Sequence, residues 1–372
     1  MDIPCAEALL EAWTRRAAQR DPVRPLESLE LCRVRSVLLV LTTGLGDAVL
    51  STPVFAALRR ALPQARLTLF VRSSWAPLFS AEPDLGAVIP YHGKWRRFFA
   101  TLRALRAQAP DLALVLHGND PDALPLAYLA GARHILRIPT AGTRFDWLLS
   151  NAGREADRVT VPEWHYVDNR LRILDSLGVA PVRRSPVIHP SPRAQAEFSA
   201  WRQPRLGDDP YWVLHPWAAD RYKTWPPARV REFLAAAMAR WPGMRVVITG
   251  SGGERAAAQA LAADAPGVVA AAGDLSIDAT AALLADARAV VAPDTGLLHL
   301  AAALDVPCVG LYAPTRVELV GPRAATATVR ALQKPLTCEP CLEKRCPYAE
   351  AKCMDQFAAG GVVAALAEVM KA

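Results

Sequence analysis

The segment from residue 289 to residue 314 constrains the fold more than any other part of the chain. The apolar run 289–292 predicts a buried strand, and the Pro-Asp-Thr-Gly turn at 293–296 predicts the start of a helix. A second apolar run, 308–312, predicts another strand. Strand, turn, helix and strand form a βαβ unit, whose turn directs free backbone N–H groups and a helix dipole at one point. Such a turn suits a phosphate group.

The same residues also have a structural explanation. Asp294 is a favoured helix N-cap on local grounds alone, and His299 can lie satisfied on a partly buried helix face. The rest of the chain is needed to choose between the two explanations.

Strands and helices alternate on both sides of a central linker. In the first half the predicted strands are 36–41, 66–71, 87–90 and 112–116, with helices at 48–62 and 95–108. Two Pro- and Arg-rich passages, 180–192 and 204–210, predict the linker, with a helix at 193–201 between them. Strands 211–214, 245–249 and 268–271 then alternate with helices 227–240, 255–263 and 277–285. Continuous apolar strands alternating with helices predict parallel sheets covered on both faces.

The sequence therefore predicts an α/β fold of two Rossmann-like, doubly wound domains that face a central cleft. A chain of 372 residues exceeds the usual size of one core. The predicted segments are an N-terminal extension (1–34), two domains (35–190 and 205–335), a four-cysteine finger (336–356) and a C-terminal helix (357–372). The position of the last helix is open, and a short amphipathic helix at 6–20 is predicted to be an appendage.

Composition narrows the class of protein. With 52% hydrophobic and 21% charged residues the chain is not disordered, and no stretch approaches the ~18 apolar residues of a membrane span. No export signal is evident, so we expect a cytoplasmic protein. The net charge of +7 indicates an anionic partner, which charge alone does not identify.

Two further loops of the second domain carry polar residues suited to a nucleotide. Lys223 precedes a helix and could place an ammonium group beside phosphates, although it could equally be a solvated surface lysine. The turn at 250–254 is rich in glycine, which permits close backbone approach, and its Glu254 could accept hydrogen bonds from a ribose. Neither a dinucleotide fingerprint nor a P-loop is present.

Three motifs together resemble glycosyltransferase family 9, the heptosyltransferases. They are Thr43-Gly44-Leu45-Gly46-Asp47, Lys223-Thr224-Trp225-Pro226 and the segment 294–304, Asp-Thr-Gly-Leu-Leu-His-Leu-Ala-Ala-Ala-Leu. Residues 111–119, 131–133, 165–178 and 252–254 are also similar. The resemblance covers roughly residues 35–372.

The resemblance implies a GT-B fold whose first domain binds the acceptor and whose second binds a sugar nucleotide. The implied donor is ADP-heptose, the implied acceptor is the lipopolysaccharide inner core, and no cofactor is implied for catalysis. Asp47 matches the catalytic base. The residues that match the donor site are Lys223, Gly252, Glu254, Asp294, Thr295, Gly296 and His299.

An inverting transfer gives these residues coherent roles. Asp47 would take the proton of the acceptor hydroxyl, while Lys223 and the N–H groups of Thr295 and Gly296 would stabilise the departing diphosphate. A helix N-cap is the structural alternative for Asp47.

For the acceptor we predict Gly46, Arg59, Arg60 and Arg72, with the cations and aromatic residues of 94–99 nearby. Such a surface would suit phosphorylated sugars on a lipid or peripheral contact with the anionic inner membrane, and a solvated basic face is the alternative.

Other functions fit parts of the same pattern. The donor could serve a protein or secondary-metabolite acceptor, or the chain could be a nucleotide-binding regulator without catalysis. No nucleic-acid-binding motif is present.

Cys338, Cys341, Cys346 and Cys353 fall within 16 residues. In a cytoplasmic chain such a cluster favours a structural zinc or iron site over disulfides. Similar fingers occur in part of the family, including iron-containing members. Reduced, unliganded thiols are the alternative.

Overall fold

The computed structural model describes residues 3–118, 120–137, 144–152, 161–339 and 341–371, with the side chains of residues 3–5 excepted. The chain forms two compact units, Met1–Arg184 and Ser185–Ala372. In the described residues, no helix is long and apolar enough to cross a membrane.

The first unit is built on a five-stranded parallel sheet with the order β3-β2-β1-β4-β5. Its strands are β1 (Ser36–Leu41), β2 (Arg66–Arg72), β3 (Ala87–Tyr91), β4 (Leu112–His117) and β5 (His134–Arg137). Its helices are α1 (Ile3–Ala18), α2 (Leu45–Leu50), α3 (Pro53–Ala61), α4 (Phe98–Arg106), α5 (Ala123–Leu129) and α6 (Tyr166–Leu171). Strand β1 is central, and its residues 37–41 are at most 1% exposed, as expected for a strand covered on both faces.

The helix predicted after β1 is divided into α2 and α3. Pro53 lacks an N–H group, so it cannot continue the hydrogen-bond ladder of α2, and it occupies the first turn of α3 instead. The turn between the two helices holds Ser51 and Thr52, whose N–H groups donate to carbonyl oxygens three residues earlier.

Helix α1 belongs to the first unit and is not an appendage. Leu10 is buried in the same apolar cluster as Leu126 and Tyr128 of α5, and Thr14 is buried beside it. The Thr14 hydroxyl donates to the Leu10 carbonyl oxygen at 2.9 Å, so this polar group is satisfied within the helix.

The second unit contains a six-stranded parallel sheet with the order β11-β10-β9-β6-β7-β8. Its strands are β6 (Tyr211–Leu214), β7 (Arg245–Ile248), β8 (Val268–Ala270), β9 (Val290–Pro293), β10 (Cys308–Tyr312) and β11 (Val329–Gln333). The first four helices are α7 (Pro192–Leu206), α8 (Pro227–Arg240), α9 (Arg255–Ala263) and α10 (Ile277–Asp286). The remaining helices are α11 (Gly296–Ala303), α12 (Val317–Val320), α13 (Lys352–Asp355) and α14 (Ala359–Val369). Counted within this unit, the strand order is 3-2-1-4-5-6, that of a doubly wound nucleotide-binding sheet.

Helix α7 extends further than predicted and includes Pro204, which was assigned to the linker. Pro204 lies in the last turn, where a missing N–H group removes only one bond of the ladder. At the other end, the Ser191 hydroxyl accepts from the Ala194 N–H at 3.1 Å and donates to Asp278 of α10 at 2.5 Å. The helix is thereby fixed to the second unit.

Helix α14 also belongs to the second unit. Val362, Ala365, Leu366 and Val369 are buried in the core cluster that includes Phe233 of α8. The end of the described chain therefore fills the core of the second unit.

We predict that Gly310→Ala destabilises the second unit. A Cβ atom at Gly310 would lie 2.6 Å from the Tyr312 ring and 2.9 Å from a Leu298 methyl group. Both neighbours are fully buried. The expected loss is about 1–3 kcal/mol in the free energy of unfolding, measured by urea denaturation. Gly243→Ala is the control, because a Cβ there meets no atom within 4 Å. Equal stability of the two variants would contradict the prediction.

Candidate functional site

The strand order changes direction at one point in each sheet. In the first unit this point lies between β1 and β4, and in the second between β6 and β9. Loops that leave the carboxyl ends of such neighbouring strands run in opposite directions and leave a crevice that commonly binds ligands. A cluster of charged and polar side chains occupies this position in each unit.

The first cluster centres on Asp47, in the first turn of α2. Arg170 Nη2 lies 3.0 Å from Asp47 Oδ1, and His117 Nδ1 lies 3.5 Å from Asp47 Oδ2. The Thr43 hydroxyl is 2.6 Å from His117 Nδ1. These side chains come from three separate segments, namely the loop after β1 with the start of α2, the end of β4, and α6.

Burial controls the charges in this cluster. It lowers the pKa of the Arg170 guanidinium, which Asp47 partly offsets, and an arginine still remains charged. Burial, and secondly the positive charge of Arg170, lower the pKa of His117 to about 4. His117 is therefore neutral at neutral pH, beside an Arg170–Asp47 ion pair.

Neighbouring groups hold the loop after β1 in place. Arg72 Nε donates to the Thr42 carbonyl oxygen at 3.3 Å, and Trp75 Nε1 donates to the Thr43 carbonyl oxygen at 3.1 Å. At Gly118, directly after β4, a Cβ atom would lie 2.6 Å from the Thr42 hydroxyl, so a larger residue there would displace the Thr42 side chain.

Two of the four predicted acceptor residues lie at this cluster. Gly46 directly precedes Asp47 in α2, and Arg72 ends β2 at the same edge of the sheet.

Arg59 is placed elsewhere, because the structure directs its guanidinium to the opposite edge of the sheet. There it donates to the carbonyl oxygens of Pro63, Ala65 and Asp84 at 2.8–3.1 Å, in the segments that precede β2 and β3. Arg60 follows it in the last turn of α3 and is exposed. The structure therefore does not bring Arg59 and Arg60 to the Asp47 cluster.

The second cluster centres on Asp294, which follows β9. Lys223 Nζ lies 2.7 Å from Asp294 Oδ2, and the Thr315 hydroxyl donates to the same oxygen at 2.8 Å. His299 Nε2 lies 3.7 Å from Asp294 Oδ1. Burial alone would raise the pKa of Asp294, but His299 and the Lys223 charge outweigh it and hold that pKa well below its usual range. Asp294 is thus a buried carboxylate that fixes the position of Lys223.

The start of α11 lies beside this ion pair. Thr295 is its N-cap residue, its side chain makes no capping hydrogen bond, and Gly296 is the first helical residue. The first N–H groups of a helix have no partner within the helix and carry partial positive charge. Lys223, Thr295 and Gly296 therefore present donors of positive character at one edge of the sheet.

The loop after β7 is folded around Glu254. Its carboxylate accepts from the Ser251 N–H at 2.6 Å, which completes a capping box for the short turn Gly252–Glu254. A Cβ atom at Gly252 would meet nothing within 4 Å, so this position faces open space. One Glu254 oxygen is thus engaged in supporting the loop.

The four clustered cysteines, Cys338, Cys341, Cys346 and Cys353, line one small pocket together with Tyr222. All four are free thiols. Within the described part of the chain, no group of three or more His, Cys, Asp or Glu residues is placed to hold a metal ion.

The cysteine segment contacts the loop that carries Lys223. Arg221 Nη1 donates to the Ala349 carbonyl oxygen at 3.1 Å, and Lys344 Nζ lies 3.9 Å from Asp220 Oδ1. Tyr222, which lines the cysteine pocket, also lies under the Lys223 ammonium, 5.9 Å from ring centroid to Nζ. This segment therefore supports the Lys223 loop from outside the Asp294 cluster.

The sequence patterns alone did not indicate roles for His117, Arg170 or Thr315. The first two lie within the stretches 111–119 and 165–178, which resemble the family. Thr315 lies shortly after the apolar strand β10. Its place after the carboxyl end of a strand is the sequence feature that could have indicated a role in a ligand site.

Comparison with known proteins identifies the relatives of this chain. The model of glycosyltransferase family 9 (heptosyltransferase) matches residues 99–352. Lipopolysaccharide heptosyltransferase 1 of Pseudomonas aeruginosa is 30% identical over 332 residues, covering 84% of this chain and 87% of that protein.

Solved structures show the same fold. The E. coli ADP-heptose lps heptosyltransferase II has a TM-score of 0.72 and 22% identity, over 90% of this chain and 98% of that one. The E. coli heptosyltransferase WaaC with ADP has a TM-score of 0.68 and 24% identity, over 90% and 99% of the two chains. The two parallel-sheet units are therefore those of the GT-B fold.

We predict that His117 titrates near pH 4 in the folded protein, against an ordinary value of 6.5. Between these values the unfolded chain binds a proton that the folded chain does not, so stability falls as the pH drops below about 6.5. From pH 7 to pH 5 this group should cost about 2 kcal/mol of unfolding free energy.

NMR titration of the His117 ring measures the pKa directly, and urea denaturation of the wild type and His117→Asn at both pH values measures the stability. The variant should lose less stability over this interval. A titration midpoint near 6.5 would contradict the prediction.

Proposed function

Because the chain belongs to glycosyltransferase family 9, the heptosyltransferases, we propose that it transfers a heptose from ADP-heptose to a hydroxyl group of the lipopolysaccharide inner core. The Lys223–Asp294 ion pair at the start of α11 is the observation that carries the proposal. The names of the relatives support the substrates, since they include a lipopolysaccharide heptosyltransferase and a heptosyltransferase solved with ADP.

The second unit would bind the donor. A diphosphate placed at the start of α11 would meet the N–H groups of Thr295 and Gly296 and the ammonium of Lys223. As the bond from sugar to phosphate breaks, negative charge grows on the departing ADP. Donors that are already fixed in position stabilise this charge without further reorganisation, and Asp294 keeps Lys223 fixed. Glu254 would accept hydrogen bonds from the ribose, with Gly252 leaving space for the nucleotide, and His299 would hold Asp294 in place.

The first unit would bind the acceptor through Gly46 and Arg72 and supply the general base. The acceptor hydroxyl would attack the anomeric carbon as ADP leaves from the opposite face, so the configuration at that carbon inverts. Asp47 Oδ1 already accepts from Arg170, and Asp47 Oδ2 has only longer contacts, of 3.5 Å, to His117 and Thr43. Oδ2 is therefore the oxygen that we expect to receive the hydroxyl proton.

Arg170 would orient this base, because its guanidinium lies 3.0 Å from Asp47 Oδ1. Neutral His117 would leave Oδ2 with only a longer contact of 3.5 Å, and so open to the acceptor hydroxyl. The protein would act in the cytoplasm, at the inner face of the inner membrane, where a lipid-linked acceptor would lie.

The four-cysteine finger is proposed to bind a structural zinc or iron ion. Four thiols are a suitable ligand set for either metal, and all four line one pocket. In the described structure the four thiols are not placed to hold a metal ion, so metal binding would require them to move closer together. The ion would stabilise the segment and takes no part in transfer.

We predict opposite defects for Asp47→Asn and Lys223→Met. Asp47→Asn should lower the transfer rate by about 10²–10⁴-fold while ADP affinity is unchanged, because only the base is lost. Lys223→Met should weaken ADP binding by about 10–100-fold, since a charged hydrogen-bond donor is removed. Calorimetry with ADP and a transfer assay with ADP-heptose and a core acceptor measure the two effects.

Lys371→Met is the matched control, because it removes an exposed lysine that is distant in sequence from Lys223.

Lys223→Met also leaves Asp294 buried without its cation, so ADP affinity is measured well below the unfolding temperature of the variant. Loss of ADP affinity in Asp47→Asn, or normal ADP affinity in Lys223→Met, would contradict the assigned roles.

For the finger, Cys341→Ser should lower both metal content and the unfolding temperature. Elemental analysis of the purified protein and thermal denaturation provide the two measurements. Cys32→Ser is the control, because Cys32 is an exposed thiol outside the cluster. Wild-type protein without stoichiometric metal would refute a metal site.

A further inference from the structure

The first unit exposes large apolar side chains next to unpaired cations. Leu9, Trp13 and Phe99 are 61%, 39% and 75% exposed. Around them lie exposed basic residues of two segments, α1 and the loop before α4. We call the whole set the aromatic–basic patch; it consists of Leu9, Trp13, Arg16, Lys94, Arg96, Arg97, Phe98 and Phe99.

Helix α1 contributes one complete stripe to the patch. Leu10 and Thr14 face the core, whereas Leu9, Trp13 and Arg16 follow the i, i+4, i+7 spacing of a second face, which is exposed. A surface helix would ordinarily place polar residues on this face. The apolar residues there therefore have no function in the core.

Aromatic contacts join the two segments into one surface. The Trp13 ring centroid lies 6.2 Å from that of Phe98 and 6.5 Å from that of Phe99. Phe98 and Phe99 are themselves in edge contact at 5.5 Å. Residues more than 80 positions apart in sequence are thus brought together at the surface.

The patch is strongly basic. Of its eight residues four are cations, Arg16, Lys94, Arg96 and Arg97, and none is a carboxylate. Among the residues that the structure describes, no carboxylate lies within 4.0 Å of the charged groups of Arg16, Lys94, Arg96 or Arg97. These cations are therefore available to an external anion.

The backbone is strained so that the loop presents these side chains. Trp95 and Arg97 have φ values of 64° and 52°, a left-handed conformation that is unfavourable for residues with a side chain. Asp122 fixes the loop by accepting from the Trp95 N–H at 3.1 Å and from the Tyr91 hydroxyl at 2.7 Å. Phe99, the most exposed large apolar residue of the patch, lies two residues after Arg97.

We propose that the aromatic–basic patch binds the surface of an anionic lipid bilayer. Indole and phenyl rings partition into the boundary between headgroups and acyl chains, and arginine and lysine pair with lipid phosphates. The combination of exposed rings with unpaired cations matches this chemistry on both counts.

The position of the patch connects membrane binding with the proposed function, and this connection rests on that function. The loop at 92–97 follows β3, so it lies at the carboxyl edge of the first sheet, the edge that also carries Asp47. A membrane at this edge would bring a lipid-linked acceptor to the unit that holds the proposed base.

Vesicle co-sedimentation tests the proposal with the full-length protein. The wild type should bind phosphatidylglycerol–phosphatidylcholine vesicles, and should bind pure phosphatidylcholine vesicles at least tenfold more weakly. Trp13→Ser combined with Phe99→Ser should lower binding to the anionic vesicles about tenfold. Arg16→Gln combined with Arg96→Gln should remove most of the dependence on anionic lipid and on salt. Val182→Ser, at an apolar residue that is 44% exposed outside the patch, is the matched control.

ADP affinity, measured on the same proteins, separates this proposal from the proposed function. It should be equal in all variants, and an unfolding transition in urea equal to that of the wild type shows that the first unit of each variant is folded. If the wild type bound vesicles but not ADP, the membrane proposal would be supported and the proposed donor would be contradicted. Failure of the wild type to bind anionic vesicles, or wild-type binding by the Trp13/Phe99 double variant, would overturn the membrane proposal.

Discussion

Burial of parallel strands on both faces determines where charge can reside in this molecule. Strand β1 is almost inaccessible to solvent along residues 37–41, and β9 is buried throughout. Charged side chains are costly in such surroundings, so they collect at the strand ends, and in a parallel sheet all carboxyl ends lie at one edge. Asp47 and Asp294 each follow a central strand at the place where the strand order changes direction. The two clusters are consequences of the same constraint.

The two ion pairs are solvated in opposite ways. In the first, the side chain of Arg170 is 9% exposed and that of Asp47 is 27% exposed, so the carboxylate is the accessible partner. In the second, Asp294 is 9% exposed and Lys223 is 16% exposed, so the ammonium is the more accessible group. A proton acceptor needs an open carboxylate, whereas a group that stabilises a leaving diphosphate needs an open cation. This asymmetry supports the roles that we propose for the two units.

The strands with continuous apolar runs, and the turns after them, were predictable because burial on both faces leaves a clear pattern. Strand β5 was missed, since its His134 and Arg137 interrupt such a run, and β11 was missed because it is an edge strand with exposed positions. The contact of Arg170 with Asp47 spans 123 positions and depends on how α6 packs, which local patterns do not encode. Arg59 was predicted to bind the acceptor, but α3 carries it to the opposite edge of the sheet.

The position of helix α14 affects when each unit can finish folding during synthesis. Its residues 362–369 complete the core of the second unit, against strands and helices made up to 150 residues earlier. The first unit ends at Arg184 and can fold while the ribosome is still translating the remainder. The second unit keeps an open apolar face until α14 has emerged. Nascent chains paused before residue 362 would therefore expose that face to solvent.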